Sequence, residues 1–247
     1  MKPVAFVALA VFLGIVPPAL AQVPDSAADG RKNTFGIFVD YSNDSSHIVL
    51  GSAQGRKFTE LGFQYERRLI VSRHLVWKYT GEFRPLIAES DLTTFDSVVQ
   101  TLPLPPITYT TTPVATPQCS PASFNYSGTV NGVLYVGTTT VSCGRRWTYV
   151  EGISPLGTRI NLLPRKRWQP TGSILTGLLL SAKKIPVDTG GSFNFMFQVG
   201  AGVEYFRTCT QSMRLEYQLQ HFSNAYTAPT NYGVDSGLFK FTYTFGR

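Results

Sequence analysis

Two short polar segments near the C-terminus hold the residue types that ester hydrolysis needs. One is Gln220-His221-Phe222-Ser223-Asn224-Ala225 and the other is Asn231-Tyr232-Gly233-Val234-Asp235-Ser236. An imidazole can take the proton of a serine hydroxyl as that hydroxyl attacks a carbonyl. A carboxylate can hold the imidazole in the correct tautomer and support its charge. An asparagine amide can donate to the oxyanion that forms, which makes Asn224 and Asn231 candidates for that task. His221 and Ser223 are two residues apart, so on a strand they share a face. The competing reading is an ordinary polar hairpin, because Ser, Asn and His are common at loop ends and H-x-S alone is a weak signal.

The elements that must position these groups read as strands. Phe35, Ile37, Val39 and Tyr41 alternate with Gly36, Phe38 and Asp40, and Leu61, Phe63 and Tyr65 with Gly62, Gln64 and Glu66. The same period of two recurs at 75–83, 193–199, 213–220 and 239–245. With two weaker segments, this predicts eight strands at 33–51, 57–72, 74–89, 145–157, 168–184, 191–206, 211–223 and 234–246. Strands of a soluble sandwich are usually shorter. Several here exceed ten residues and carry Lys, Glu, Arg and Gln on the polar face in mid-strand, as the inside of a membrane barrel does. The expected fold is therefore all-β, an eight-stranded antiparallel transmembrane barrel of an outer membrane. With both termini periplasmic, the turns at 72–74, 158–167 and 207–210 face the periplasm. The connections at 52–56, 90–144, 185–190 and 224–233 face outside, and 90–144 is the long extracellular loop. Six prolines between Pro103 and Pro121 predict an irregular first half, and Asn131-Gly132 predicts a hairpin turn in the second. His221, Ser223 and Asp235 all carry the parity of the apolar, lipid-facing rows, where polar groups are costly unless they work or lie in the headgroup zone.

Composition agrees. Of 247 residues 43% are hydrophobic and 13% aromatic, yet only 15% are charged, and the mean hydropathy is −0.00. Such a chain is too poor in charge for disorder and too polar on average for a helical membrane bundle. Residues 1–21 read as a signal peptide: Lys2, an apolar core from Val4 to Val16, Pro17-Pro18 and then Ala19-Leu20-Ala21 before a cleavage site at Gln22. Residues 22–247 form a single barrel domain. The net charge of +7 suits an anionic leaflet, and no nucleic-acid motif accompanies it. Cys119 and Cys143 lie in one loop region and could pair in an oxidising compartment, leaving Cys209 alone. Scattered His and Cys give no metal-ligand spacing. Phosphate-loop and dinucleotide signatures and paired catalytic carboxylates are not seen. Arg145 and Arg146, at the external end of a strand, could meet lipid phosphates, with solvated rim charge as the plainer reading.

His221-x-Ser223-Asn224-Ala225, with Asn231 ten residues after the histidine and an acid fourteen after it, resembles the lipid A 3-O-deacylase family, PagL, within the wider acyloxyacyl hydrolases. The resemblance is strongest over 168–245 and includes Val199-Gly200-Ala201-Gly202-Val203-Glu204. It implies an eight-stranded outer-membrane barrel with its triad on the outer surface: Ser223 as nucleophile, His221 as general base, Asp235 in place of the family's Glu, and Asn224 and Asn231 at the oxyanion. It further implies a cofactor-free esterase that removes an ester-linked 3-hydroxyacyl chain of lipid A or lipopolysaccharide in the outer leaflet. A homodimer is compatible with this reading. The alternatives are a non-enzymatic barrel, structural or adhesive, with the long loop as its working part, and a soluble exported β protein that binds a ligand.

Overall fold

The computed structural model describes residues 31–42 and 44–246. The expected leader at 1–21 lies outside them. The strands are β1 (Asn33–Ser42), β2 (Lys57–Val71), β3 (Leu75–Leu102), β4 (Ile107–Thr110), β5 (Val114–Ala115), β6 (Ala122–Val130), β7 (Val133–Leu162), β8 (Trp168–Ile185), β9 (Gly191–Phe206), β10 (Gln211–Ser223) and β11 (Val234–Gly246). No helix occurs among the described residues. All pairings are antiparallel, and β1, β2, β3, β7, β8, β9, β10 and β11 pair in that order, with β11 returning to β1. The sheet therefore closes on itself and has no free edge within the ring.

Two expectations are corrected. The first strand stops at Ser42 rather than at residue 51, and the chain after it folds back against β11. The segment 90–144 is not an open loop. β3 and β7 continue their ladder past the ring, from Ser90↔Trp147 to Leu102↔Val136. β4 and β5 flank β3, and β6 flanks β7. The β-branched run Thr138-Thr139-Thr140-Val141 favours this extension. The prolines, which cannot donate to a ladder, fall between the short strands and not inside them. Asn131-Gly132 does make the hairpin turn, with φ of 48° and 80°, the left-handed pair that a type I′ turn requires. Between Asp96 and Arg145 the chain carries no charged residue. A disulfide joins Cys119 to Cys143 across this extension, and Cys209 is free and exposed.

The barrel is apolar outside and polar inside. Along β1, Phe35, Ile37, Val39 and Tyr41 are exposed while Thr34, Asp40 and Ser42 are buried. β10 repeats this, with Leu215 and Tyr217 exposed and Arg214, Glu216, Gln218 and Gln220 buried. Large aromatic and aliphatic side chains over a closed antiparallel wall form the surface of a barrel that crosses a membrane. Most charges inside are paired. Arg31, Lys78, Arg84, Arg159, Arg214 and Lys240 bind Asp40, Glu60, Glu66, Glu82, Glu204 and Glu216. Arg214 alone reaches three carboxylates, at 2.9 Å (Glu66), 3.1 Å (Glu216) and 3.6 Å (Glu204). A separate apolar layer, including Phe58, Ile87, Leu179, Met196, Phe222 and Leu238, fills another level of the interior.

Arg214→Met should destabilise the barrel by about 3–5 kcal/mol in urea unfolding from lipid vesicles, because it removes the cation that Glu66, Glu204 and Glu216 share and leaves their mutual repulsion less compensated. Peptide mass spectrometry without reduction should find Cys119 linked to Cys143 and Cys209 open to alkylation. Reduction should loosen the extension by roughly 3 kcal/mol and leave the ring intact.

Candidate active site on the outer wall of the barrel

The β10–β11 ladder puts His221 directly opposite Asp235. Both carry the outward parity of Leu215, Tyr217 and Phe239, so the pair sits on the wall and not in the lumen. Residues directly opposite on antiparallel strands are near enough for short side chains to meet. Here Nδ1 of His221 lies 2.6 Å from Oδ1 of Asp235. His221 is partly exposed and Asp235 is buried. With Nδ1–H given to the carboxylate, Nε2 is the nitrogen left to act as a base.

The other carboxylate oxygen is held by main chain. Oδ2 of Asp235 accepts the N–H groups of Ile48 (3.0 Å), Val49 (2.5 Å), Leu50 (3.0 Å) and Gly51 (2.9 Å). Successive amides turned to one point form a nest for an anion. The segment reaches that place through a bridge between Ser45 and Ser236 and backbone bonds from Ser52 to Tyr232 O and from Ala53 to Gly233 O. The Nδ1–H of His47 donates to the Gly51 carbonyl at 2.6 Å and closes the turn. Gly51 is needed there. A Cβ on it would lie 2.8 Å from the Val234 carbonyl carbon, 2.9 Å from Asp235 Cγ and nearer still to the Asp235 nitrogen. The sequence reading missed this segment because Ile48, Val49 and Leu50 resemble the end of a strand. The available signal was the Asp44-Ser45-Ser46 cluster before them and Gly51 and Gly55 after them.

Ser223 ends β10 on the same outward row, two residues beyond His221 and opposite Phe195 of β9. No hydrogen bond joins it to His221. The next residues form a tight turn with Ala225 and Tyr226 at φ of 49° and 61°, a conformation that costs non-glycine residues on the order of 1 kcal/mol or more each. Asn224 holds the turn. It is buried, its Nδ2 donates to Thr230 O at 2.7 Å and its Oδ1 accepts Tyr226 N–H at 3.0 Å. Asn231 Oδ1 accepts Asn224 N–H at 3.2 Å. The Asn224 amide is thus engaged in the loop, while Asn231 keeps its NH2 group for another acceptor. Gly233, at φ 58°, lies beneath the imidazole, and a Cβ there would come 3.1 Å from His221 Cε1.

A groove of about 310 Å³ opens beside the pair, lined by Ile48, Val49, Leu50, Phe197, Leu219 and His221. That volume is at the small end of ligand sites, and its walls are mostly aliphatic and aromatic. Arg145 and Arg146 are not at this groove. Arg145 donates to Gly55 O at 2.8 Å, and Arg146 binds Asp188 and Asp91. Burial alone would raise the Asp188 carboxyl, but the Ala115 N–H and the Arg146 guanidinium outweigh it and hold it below its usual range. No group of three or more His, Cys, Asp or Glu among the described residues is arranged to hold a metal ion.

Residues 123–244 match the family model described as lipid A 3-O-deacylase (PagL), a span that contains every member of the site except the 48–51 segment. No curated protein matches the sequence. Among solved structures, the Neisserial surface protein A is 10% identical, with 87% of this chain and 97% of that chain covered and a TM-score of 0.45. The outer membrane protein OprG from Pseudomonas aeruginosa is 12% identical, with 88% and 98% covered and a TM-score of 0.41. LpxR from Salmonella typhimurium is 8% identical, with 87% and 100% covered and a TM-score of 0.25.

Asn224→Ala removes two bonds that define the turn after Ser223. Hydrogen exchange of residues 224–231 should quicken, consistent with a local loss of about 1–3 kcal/mol, while β10 and β11 stay protected. Unchanged exchange in that turn would contradict the role given to Asn224.

Proposed function

We propose that this protein, from the premise of its PagL match, is an outer-membrane serine esterase that removes a 3-O-linked acyl chain from lipid A. The single observation that carries the reading is the 2.6 Å bond between His221 and Asp235 on the outer wall, beside an apolar groove. A buried carboxylate bonded to an imidazole whose other nitrogen is available is the arrangement that activates a hydroxyl. Ser223 is the hydroxyl on the same row. An active site on the lipid side suits a substrate whose ester lies just below the sugar of the outer leaflet, since that substrate arrives by diffusion in the membrane plane.

In the reaction, the acyl chain enters the groove and Ser223 rotates its hydroxyl onto Nε2 of His221. Its Oγ attacks the ester carbonyl as His221 takes the proton, and Asp235 stabilises the imidazolium. In this reading the Asn231 side-chain amide donates to the oxyanion. Collapse breaks the bond to the sugar oxygen, which takes the proton from His221. Water, deprotonated by the same imidazole, then releases the fatty acid and restores Ser223. Every proton is accounted for by one base, and the residues present suffice for the step.

A second reading, a surface-contact role for the extension, is favoured by one observation. Residues 97–144 lack charge altogether, and most side chains of β4 and β6 are exposed. Lipid A mass spectrometry separates the two. Cells expressing the native chain should yield lipid A lighter by one 3-hydroxyacyl group, and Ser223→Ala should abolish this with the barrel still folded. Asp235→Ala should retain more rate than Ser223→Ala, because the orienting acid is the more dispensable member of such a trio. An unaltered lipid A profile with the native protein would reject the esterase.

A further inference from the structure

The segment Ile48–Gly51 faces two ways. Its four amides converge on one oxygen of Asp235, while Ile48, Val49 and Leu50 turn their side chains outward, exposed, as one wall of the groove. Four donors on one carboxylate oxygen leave the acid no freedom to rotate, and its other oxygen is thereby aimed at His221. We propose that Ile48–Gly51 is a positioning and specificity element of the esterase site. By this account its main chain fixes the acid, and its side chains seat one acyl chain of the lipid substrate. Occupancy of the groove and orientation of the acid are then set by one loop. This rests on the esterase reading above.

The nest is built for an aspartate. The carboxylate of Asp235 already spans the gap between the imidazole and the 48–51 amides, at 2.6 Å on one side and 2.5–3.0 Å on the other. A side chain one methylene longer would drive its oxygens into the loop. The glutamate that the family resemblance implies at this position is therefore the wrong length here. The same fit accounts for Gly51, whose Cβ would displace the loop from the acid. Ile48, Val49 and Leu50 belong to the substrate side of the same device.

The test uses the full chain reconstituted in vesicles containing lipid A, with acyl release followed by mass spectrometry and folding checked by heat-dependent gel migration. Gly51→Ala and Asp235→Glu should each lower kcat by roughly 10–100-fold, the scale of a misplacement near 1 Å, with a smaller change in KM. In an Asp235→Ala background, Gly51→Ala should have no further effect on kcat, because the loop reaches the chemical step only through the acid. Leu50→Ser should raise KM for the longest acyl chains more than for short ones. Native kcat in both Gly51→Ala and Asp235→Glu would overturn the proposal, as would full additivity of Gly51→Ala with Asp235→Ala. If instead Ser223→Ala proves fully active, the esterase reading itself fails. That outcome is distinct from a dead Ser223→Ala accompanied by an unaffected Gly51→Ala.

Discussion

The lumen of this barrel is lined with charge, and the structure depends on that charge being paired. Six cations and six carboxylates inside it form two connected sets of ion pairs, one around Glu66, Glu204 and Glu216 and one around Glu82. Removed from water without partners, each would cost several kcal/mol. Pairing is possible only if every strand keeps its polar row inward, because the partners come from different strands around the ring. Arg214 of β10 meets Glu66 of β2, and Lys240 of β11 meets Glu82 of β3. A slip of one residue in any strand would turn its charges to lipid and its aromatics to the lumen. The ion pairs therefore fix register as much as they stabilise.

Register in turn decides the chemistry of the wall. With the lumen rows of β10 and β11 locked, the outward rows are locked too, and His221 falls opposite Asp235. Two polar residues on the greasy face are then close enough to satisfy each other, and the loop from the other side of the β1–β11 seam satisfies the remaining oxygen. The polar cost of an outward-facing dyad is met by one imidazole and four amides, with no charge left bare to lipid. The site is stable for the same reason it is ordered.

Much of this was legible in the residues. Period-two rows and two weaker segments predicted eight strands, and five of the eight have boundaries within a few residues of those expected. The parity of His221, Ser223 and Asp235 indicated the outer face, where the structure has them. The departures have physical causes. The Ile48-Val49-Leu50 run is strand-like in composition, yet its amides are claimed by a carboxylate 184–187 positions away, and no local pattern records that. Prolines argued for irregularity in 90–144, but they occupy the links between short strands, while the Thr and Val runs extend β3 and β7. Asn224 read as an oxyanion donor because of its place after Ser223, whereas its amide is spent within the turn. Arg145 and Arg146 read as rim charge open to phosphate, whereas each has protein partners.

The site draws on three parts of the chain that only closure of the barrel brings together. His221 and Ser223 come from β10, Asp235 from β11, and the amides from the connection between β1 and β2. The family match begins at residue 123, so His221, Ser223 and Asp235 lie within it and the amides outside it. The β1–β11 ladder, from Thr34↔Gly246 to Tyr41↔Phe239, is the seam that carries the amides to the acid. Beyond Tyr41 the two strands separate, and the space between them is where residues 45–51 fold back. Had β1 continued as a strand to residue 51, its amides would have been used in the ladder and Asp235 would have faced lipid with one oxygen unpaired. Ending β1 at Ser42 frees those amides, and the early stop of one strand is thus the structural condition for an ordered acid on the next.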